Sequence, residues 1–195
     1  MRVGTRSILF GVHQFLLHPL MCAWAWWRLY GPPLDLRLWV AFLVHDLGYW
    51  GKPNMDGEEG EHHVGVGAAI MGALFGPKWE QFTRYHSRFL AKRDGMSYSR
   101  LCVVDKYLIC LMPHWLYLPL ARWSGELDEY LQAAGARTPT CGPGRYAHMG
   151  LRIGTERQWF DDVQSYLRAW VVEHRDGRAD TWTGQVRMTA EGHRQ

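Results

Sequence analysis

The sequence predicts an all-α fold, a single-domain helical bundle. Three observations lead there. Apolar residues recur at helical spacing along most of the chain, as in Trp159, Phe160, Val163, Tyr166, Leu167 and the run Ala169 to Val172. No stretch alternates apolar and polar residues between hairpin turns, as a sheet would require. Gly, Pro, Asn and Asp clusters punctuate the chain at intervals that suit helices joined by short turns.

The elements follow in order. A first helix is expected over residues 6–17. Pro19 follows His18 directly, and proline is tolerated only in the first turn of a helix, so His18 falls at a junction and a second helix runs over 19–30. Gly31-Pro32-Pro33 ends it. The third helix spans 36–47 and closes at Gly48. Residues 49–60 are rich in Gly, Pro, Asn and Asp and read as a loop. Helices over 61–75, 78–90 and 97–112 follow, separated by Gly76-Pro77 and Asp94-Gly95 and closed by Pro113. Two more are expected over 124–134 and 155–174. Residues 175–195 are polar, lack apolar periodicity and read as a flexible tail beyond the helical domain of residues 1–174.

Composition narrows the function classes. A chain of 195 residues suits one domain with a sizeable core. The net charge of +3 gives no concentrated basic face, so no nucleic-acid partner is expected. Four cysteines, Cys22, Cys102, Cys110 and Cys141, form no CxxC pair and read as buried thiols of a reducing compartment. The apolar stretch 8–30 contains His13, Gln14, His18 and Pro19, and no small-residue cleavage signal follows it. It reads as a buried helix rather than a membrane span or signal peptide. The expectation is a soluble, cytoplasmic protein. The 11 tryptophans, several in Cys22 to Trp27, suit a bulky core with some exposed surface, which favours a homodimer.

The residues that carry chemistry are His18, His45, Asp46, His63, His86 and Asp105. His45-Asp46 closes an apolar run, Phe42-Leu43-Val44, so an imidazole and a carboxylate sit side by side at the buried end of a helix. Neither belongs in a dry core without a partner. A divalent metal is the simplest partner for both. The other four fall on or beside different helices, as ligands in a helical bundle do. His62 competes with His63, and His13 with His18. His114, His148, His174 and His193 read as ordinary core or surface histidines.

The order His, His-Asp, His, His, Asp resembles the HD-domain superfamily of metal-dependent phosphohydrolases over residues 10–115. The segments His63 to Ala68, Arg84-Tyr85-His86, Gly95-Met96-Ser97 and Val103-Val104-Asp105 look like its branch that hydrolyses dinucleoside tetraphosphates. The resemblance implies two divalent metal ions, iron or manganese first, with zinc, nickel, cobalt or magnesium as alternatives. It implies that Asp46 bridges them, that His18, His45 and Asp105 hold one, and that His63 and His86 hold the other. It also implies hydrolysis of a phosphoester or phosphoanhydride of a nucleotide or dinucleotide by a water the metals share, with Asp46 orienting that water. Many relatives carry Lys or Glu three residues after the Asp of the dipeptide, where this chain has Tyr49. The missing Glu favours the two-metal type.

Charge that builds on phosphoryl oxygens calls for nearby cations. Arg88, Lys92 and Lys106 are candidates for substrate binding, and Lys52 is a candidate for the role of the missing Lys. Asp56, Glu58, Glu59 and Glu61 are candidate acids for the leaving group. Tyr49 and Trp50 are candidates to stack on a base. The same ligand set also resembles diiron oxygenases that cleave C–C or C–P bonds, and a non-catalytic binding protein of this fold is the third alternative.

Overall fold

A computed structural model describes residues 1–135, 149, 151, 152 and 154–175, and among these the regular structure is entirely helical. The elements are α1 (Val3–Phe10), α2 (Leu17–Tyr30), α3 (Leu36–Val44), a 3-10 turn (Leu47–Tyr49), α4 (Glu58–Glu61), α5 (Val64–Phe75), α6 (Pro77–Arg84), α7 (Arg88–Arg93), α8 (Arg100–Leu111), α9 (His114–Ser124), α10 (Glu126–Gly135) and α11 (Glu156–Arg175). The tail expected to be flexible, Cys141, His148 and His193 lie outside the described residues apart from Arg175, which ends α11.

Local chemistry sets the boundaries. The Asp35 carboxylate accepts the Arg37 N–H and caps α3. Ser99 caps α8 in the same way, with its hydroxyl oxygen accepting from Cys102 N–H. Gly76 takes a φ of 87°, open to glycine at no steric cost, and Pro77 then starts α6. Pro19 occupies the first turn of α2, where an N–H would have no intrahelical partner.

α8 is the central helix. Leu101, Cys102, Val103, Val104 and Leu108 are buried on several of its faces, and it packs between α2 and α11. Phe42 of α3, Met71 of α5 and Phe160 of α11 fill the same core. Among the described residues, no single helix is long and apolar enough to cross a membrane.

Several expected boundaries differ: α1 ends at Phe10 and α3 at Val44, and three further differences have a cause in the local packing. The helix read over 78–90 breaks at Tyr85 to Ser87. The Tyr85 carbonyl accepts from Ser99 N–H (3.1 Å), so it cannot serve the next helical turn, and the Ser87 hydroxyl caps α7 instead. The helix read over 61–75 starts only at Val64, with His62 and His63 in the gap after α4. α9 lies in a segment to which the sequence reading assigns no helix, beyond the Pro113 that closes the preceding one. Pro113 is its N-cap, and the buried face of Tyr117, Leu118, Leu120 and Ala121 holds the helix despite Pro119.

One close approach joins α5 to the end of α3. A Cβ on Gly48 would collide with the backbone carbonyl of His63, whereas a Cβ on Gly65 would meet nothing. Gly48→Ala is expected to cost about 2–3 kcal/mol through overpacking of backbone that cannot yield. Gly65→Ala is expected to be neutral or to stabilise by up to about 1 kcal/mol. Urea denaturation of both variants checks the contrast.

Candidate metal centre

His18 sits in the first turn of α2. His45 ends α3, and Asp46 leads into the 3-10 turn. His63 precedes α5, His86 lies in the break between α6 and α7, and Asp105 is in the middle of α8. All six are buried, none more than 6% exposed. They meet in one cluster, in which His18, His45, Asp46 and Asp105 form one group able to hold a metal ion and Asp46, His63 and His86 form another.

Asp46 stands between the two groups. Its Oδ2 lies 3.1 Å from His18 Nε2 and 3.2 Å from His45 Nε2. Its Oδ1 lies 3.5 Å from His63 Nε2 and 3.4 Å from His86 Nε2. Asp105 Oδ1 is 3.4 Å from His18 Nε2. The paired imidazoles face each other at 3.2 Å (His18 with His45) and 3.1 Å (His63 with His86), Nε2 to Nε2.

The second ring nitrogens explain that orientation. His45 Nδ1 lies 3.1 Å from the Phe42 carbonyl, His63 Nδ1 2.7 Å from that of Gly60, and His86 Nδ1 2.6 Å from that of Thr83. A carbonyl only accepts, so each Nδ1 carries a proton and donates it. In the neutral ring each Nε2 is then the lone-pair nitrogen, the arrangement that orients histidine toward a metal. Asp46 Oδ2 is buried without a hydrogen-bond partner although two imidazole nitrogens crowd it. Converging acceptors with an orphaned carboxylate oxygen fit a cation, and separations of 3.1 to 3.5 Å suit neighbouring ligands on one ion. Cys22, one turn beyond His18, adds a buried thiol near His18 and His45.

Without a cation, protons take its place unevenly. Burial opposes a charge on His45, but Asp46 beside it wins and pushes its pKa up to about 10. His18 is likewise raised well above the ordinary range against its own burial, with Cys22, Asp105 and Asp46 the groups that raise it. His63 goes the other way, lowered by burial and by His86. Burial works against ionising Asp46 and Asp105, yet both are held well below the usual carboxylate range, Asp46 by His45 and Asp105 by Lys106.

The cluster opens into a polar cavity of about 270 Å³. Arg88, Lys92 and Lys106 line it. Lys106 Nζ donates to Asp105 Oδ2 (2.8 Å), so it steadies a candidate ligand as well as facing the cavity. Arg88 is held from α11: it donates to the Tyr166 hydroxyl (3.0 Å) and lies over the Trp170 ring at 4.9 Å. Lys52 lines neither this cavity nor its neighbour. Its carbonyl accepts from Gly4 N–H, and its Cβ packs against α1.

Of the acidic loop, Asp56 and Glu61 reach the cavity; Glu59 instead accepts from Asn54. Tyr49 stacks on His63, with ring centroids 3.8 Å apart, and Trp50 is exposed outside the lining. His62 is exposed, while His63 is in the cluster.

Sequence reasoning missed one buried group beside the site. Glu126 is fully buried and accepts from the Ser124 hydroxyl (2.7 Å) and the Tyr130 hydroxyl (3.2 Å). Its Oε2 also lies 3.0 Å from His13 Nδ1, and His13 lines the cavity. No local signal marks it, because Glu126 opens a helix as many solvated glutamates do. No family model, curated protein or solved structure matches this chain.

The proton placement gives a pH dependence. His45 has a folded pKa of about 10, above its unfolded value of 6.5. Its contribution to stability is fully present below pH 6.5 and is lost as pH rises toward 10. Metal-stripped protein is therefore expected to lose thermal stability between pH 7 and 10. Protein saturated with manganese is expected to lose much less, since the cation replaces the protons and binds better as they leave. Melting curves with chelator or manganese check this.

Proposed function

We propose that the chain is a metal-dependent phosphohydrolase of the HD type that cleaves a phosphoester or phosphoanhydride. One observation carries the reading: a single carboxylate, Asp46, turns one oxygen to each of two imidazole pairs. His18, His45, Asp46 and Asp105 would hold one divalent cation, and Asp46, His63 and His86 a second. Two such ions supply Lewis acidity and an activated water at neutral pH.

The chain's own residues supply the rest. Arg88, fixed by Tyr166 and Trp170, presents a permanent positive charge to the phosphoryl oxygens. Lys106 keeps Asp105 ionised and oriented. Asp56 and Glu61 line the same cavity, and either could protonate a leaving group there. The nucleotide-type substrates that the family resemblance implies are the first class to screen. Three buried free thiols, Cys22, Cys102 and Cys110, fit a protein of the reducing cytoplasm.

The test is phosphate release from a panel of phosphoesters by manganese-loaded protein under anaerobic conditions. Asp46→Ala is expected to abolish metal retention and to lower the rate at least ~100-fold. Arg88→Ala is expected to weaken substrate binding while metal content is unchanged. Retention of activity and metal by Asp46→Ala would defeat the assignment. Oxygen uptake coupled to substrate loss would instead make the centre an oxygenase.

A further inference from the structure

A second cavity of about 140 Å³ adjoins the polar one. The two share the walls formed by His13, Tyr49, Asp56, Arg88, Asp105, Lys106 and Met149. Beyond Asp105 the second cavity changes character: its walls are Leu108 and Ile109 of α8, Tyr117 of α9, and Trp159, Val163 and Leu167 of α11. Leu108, Tyr117, Trp159, Val163 and Leu167 are all buried core residues. The metal cluster therefore has an ionic mouth on one side and an apolar chamber on the other.

Size and chemistry limit what enters the chamber. An apolar protein cavity of about 150 Å³ stays dry and takes up benzene, so this one suits a single ring or a short branched alkyl group. A nucleobase has comparable bulk, but Leu108, Val163 and Leu167 would offer its ring nitrogens and exocyclic groups no hydrogen bonds, and the polar atoms of this chamber are few, the Trp159 indole N–H and the Tyr117 and Tyr130 hydroxyls among them. Arg88 and Lys106 belong to both cavities, so cations stand at the junction beside the carboxylates of Asp56 and Asp105, the second of which is paired with Lys106. An anionic head and an apolar body joined by one ester bond match that order of surfaces.

We infer that the site takes phosphate monoesters of an apolar alcohol of about one ring, with the phosphoryl group at the cluster and the alcohol in the chamber of α8, α9 and α11. This rests on the phosphohydrolase reading. In the reaction, the bond between phosphorus and the alcohol oxygen breaks, a bond from phosphorus to a water oxygen forms, and a proton passes to the departing oxygen. The products are the free alcohol and inorganic phosphate.

The experiment is calorimetric binding of non-hydrolysable probes to the manganese-loaded full chain. Benzylphosphonate is expected to bind at least ~10-fold more tightly than methylphosphonate and adenosine monophosphate. Val163→Phe, which fills the chamber, is expected to erase the advantage over methylphosphonate and leave methylphosphonate binding unchanged. Equal binding of the two phosphonates by the unaltered protein, or tighter binding of adenosine monophosphate, would overturn the inference without recourse to any variant. The parent reading is separated by one further measurement, phosphate release from benzyl phosphate. The expected binding preference without release would keep the chamber's selectivity and reject hydrolysis.

Discussion

Imidazole nitrogens and carboxylate oxygens repel one another when their lone pairs converge in a dry interior, and this fold drives six such side chains together. Backbone carbonyls of Phe42, Gly60 and Thr83 fix three of the imidazoles with Nε2 turned inward. Asp46 presents an oxygen to each pair, and one of those oxygens has no hydrogen-bond partner. A buried arrangement of acceptors is costly unless positive charge enters it. Protons supply that charge at His18 and His45, where the pKa values rise, but not at His63, where burial and His86 lower it.

The backbone is shaped to the same end. His63 and His86 both lie in interruptions between helices rather than within them. In the second of these, the Tyr85 carbonyl is taken by Ser99 N–H, which ties the break to the start of α8 and so to the helix that carries Asp105. Gly48 lets the backbone of His63 approach the turn that follows Asp46. Small departures from regular helix thus bring the two halves of the cluster within hydrogen-bond range of one carboxylate.

Much of this was legible in the chain because it is local. The helical class follows from periodicity, and Pro19 marks His18 as lying at a helix junction, which in the structure is the first turn of α2. His45-Asp46 announced itself by ending an apolar run. What the sequence concealed depends on partners distant in the chain. Ser87 as a cap and the break at Tyr85 require Ser99. α9 survives Pro119 because its opposite face is buried. Arg88 was legible as a cation, but its anchorage by Tyr166 and Trp170 was not, because α11 lies far along the chain. Lys52 resembled a site residue by proximity to Asp46 alone, whereas its backbone pairing with Gly4 draws it to α1. Glu126 carried no signal, since its burial arises only when α9, α10 and the segment after α1 pack together.

The most direct measurement is an anomalous difference map from crystals of the protein grown with manganese. The account predicts two peaks about 3.5–4 Å apart, one on each side of the Asp46 carboxylate, the first against His18, His45 and Asp105 and the second against His63 and His86. Peaks confined to surface carboxylates, or none within the cluster at saturating metal, would contradict it.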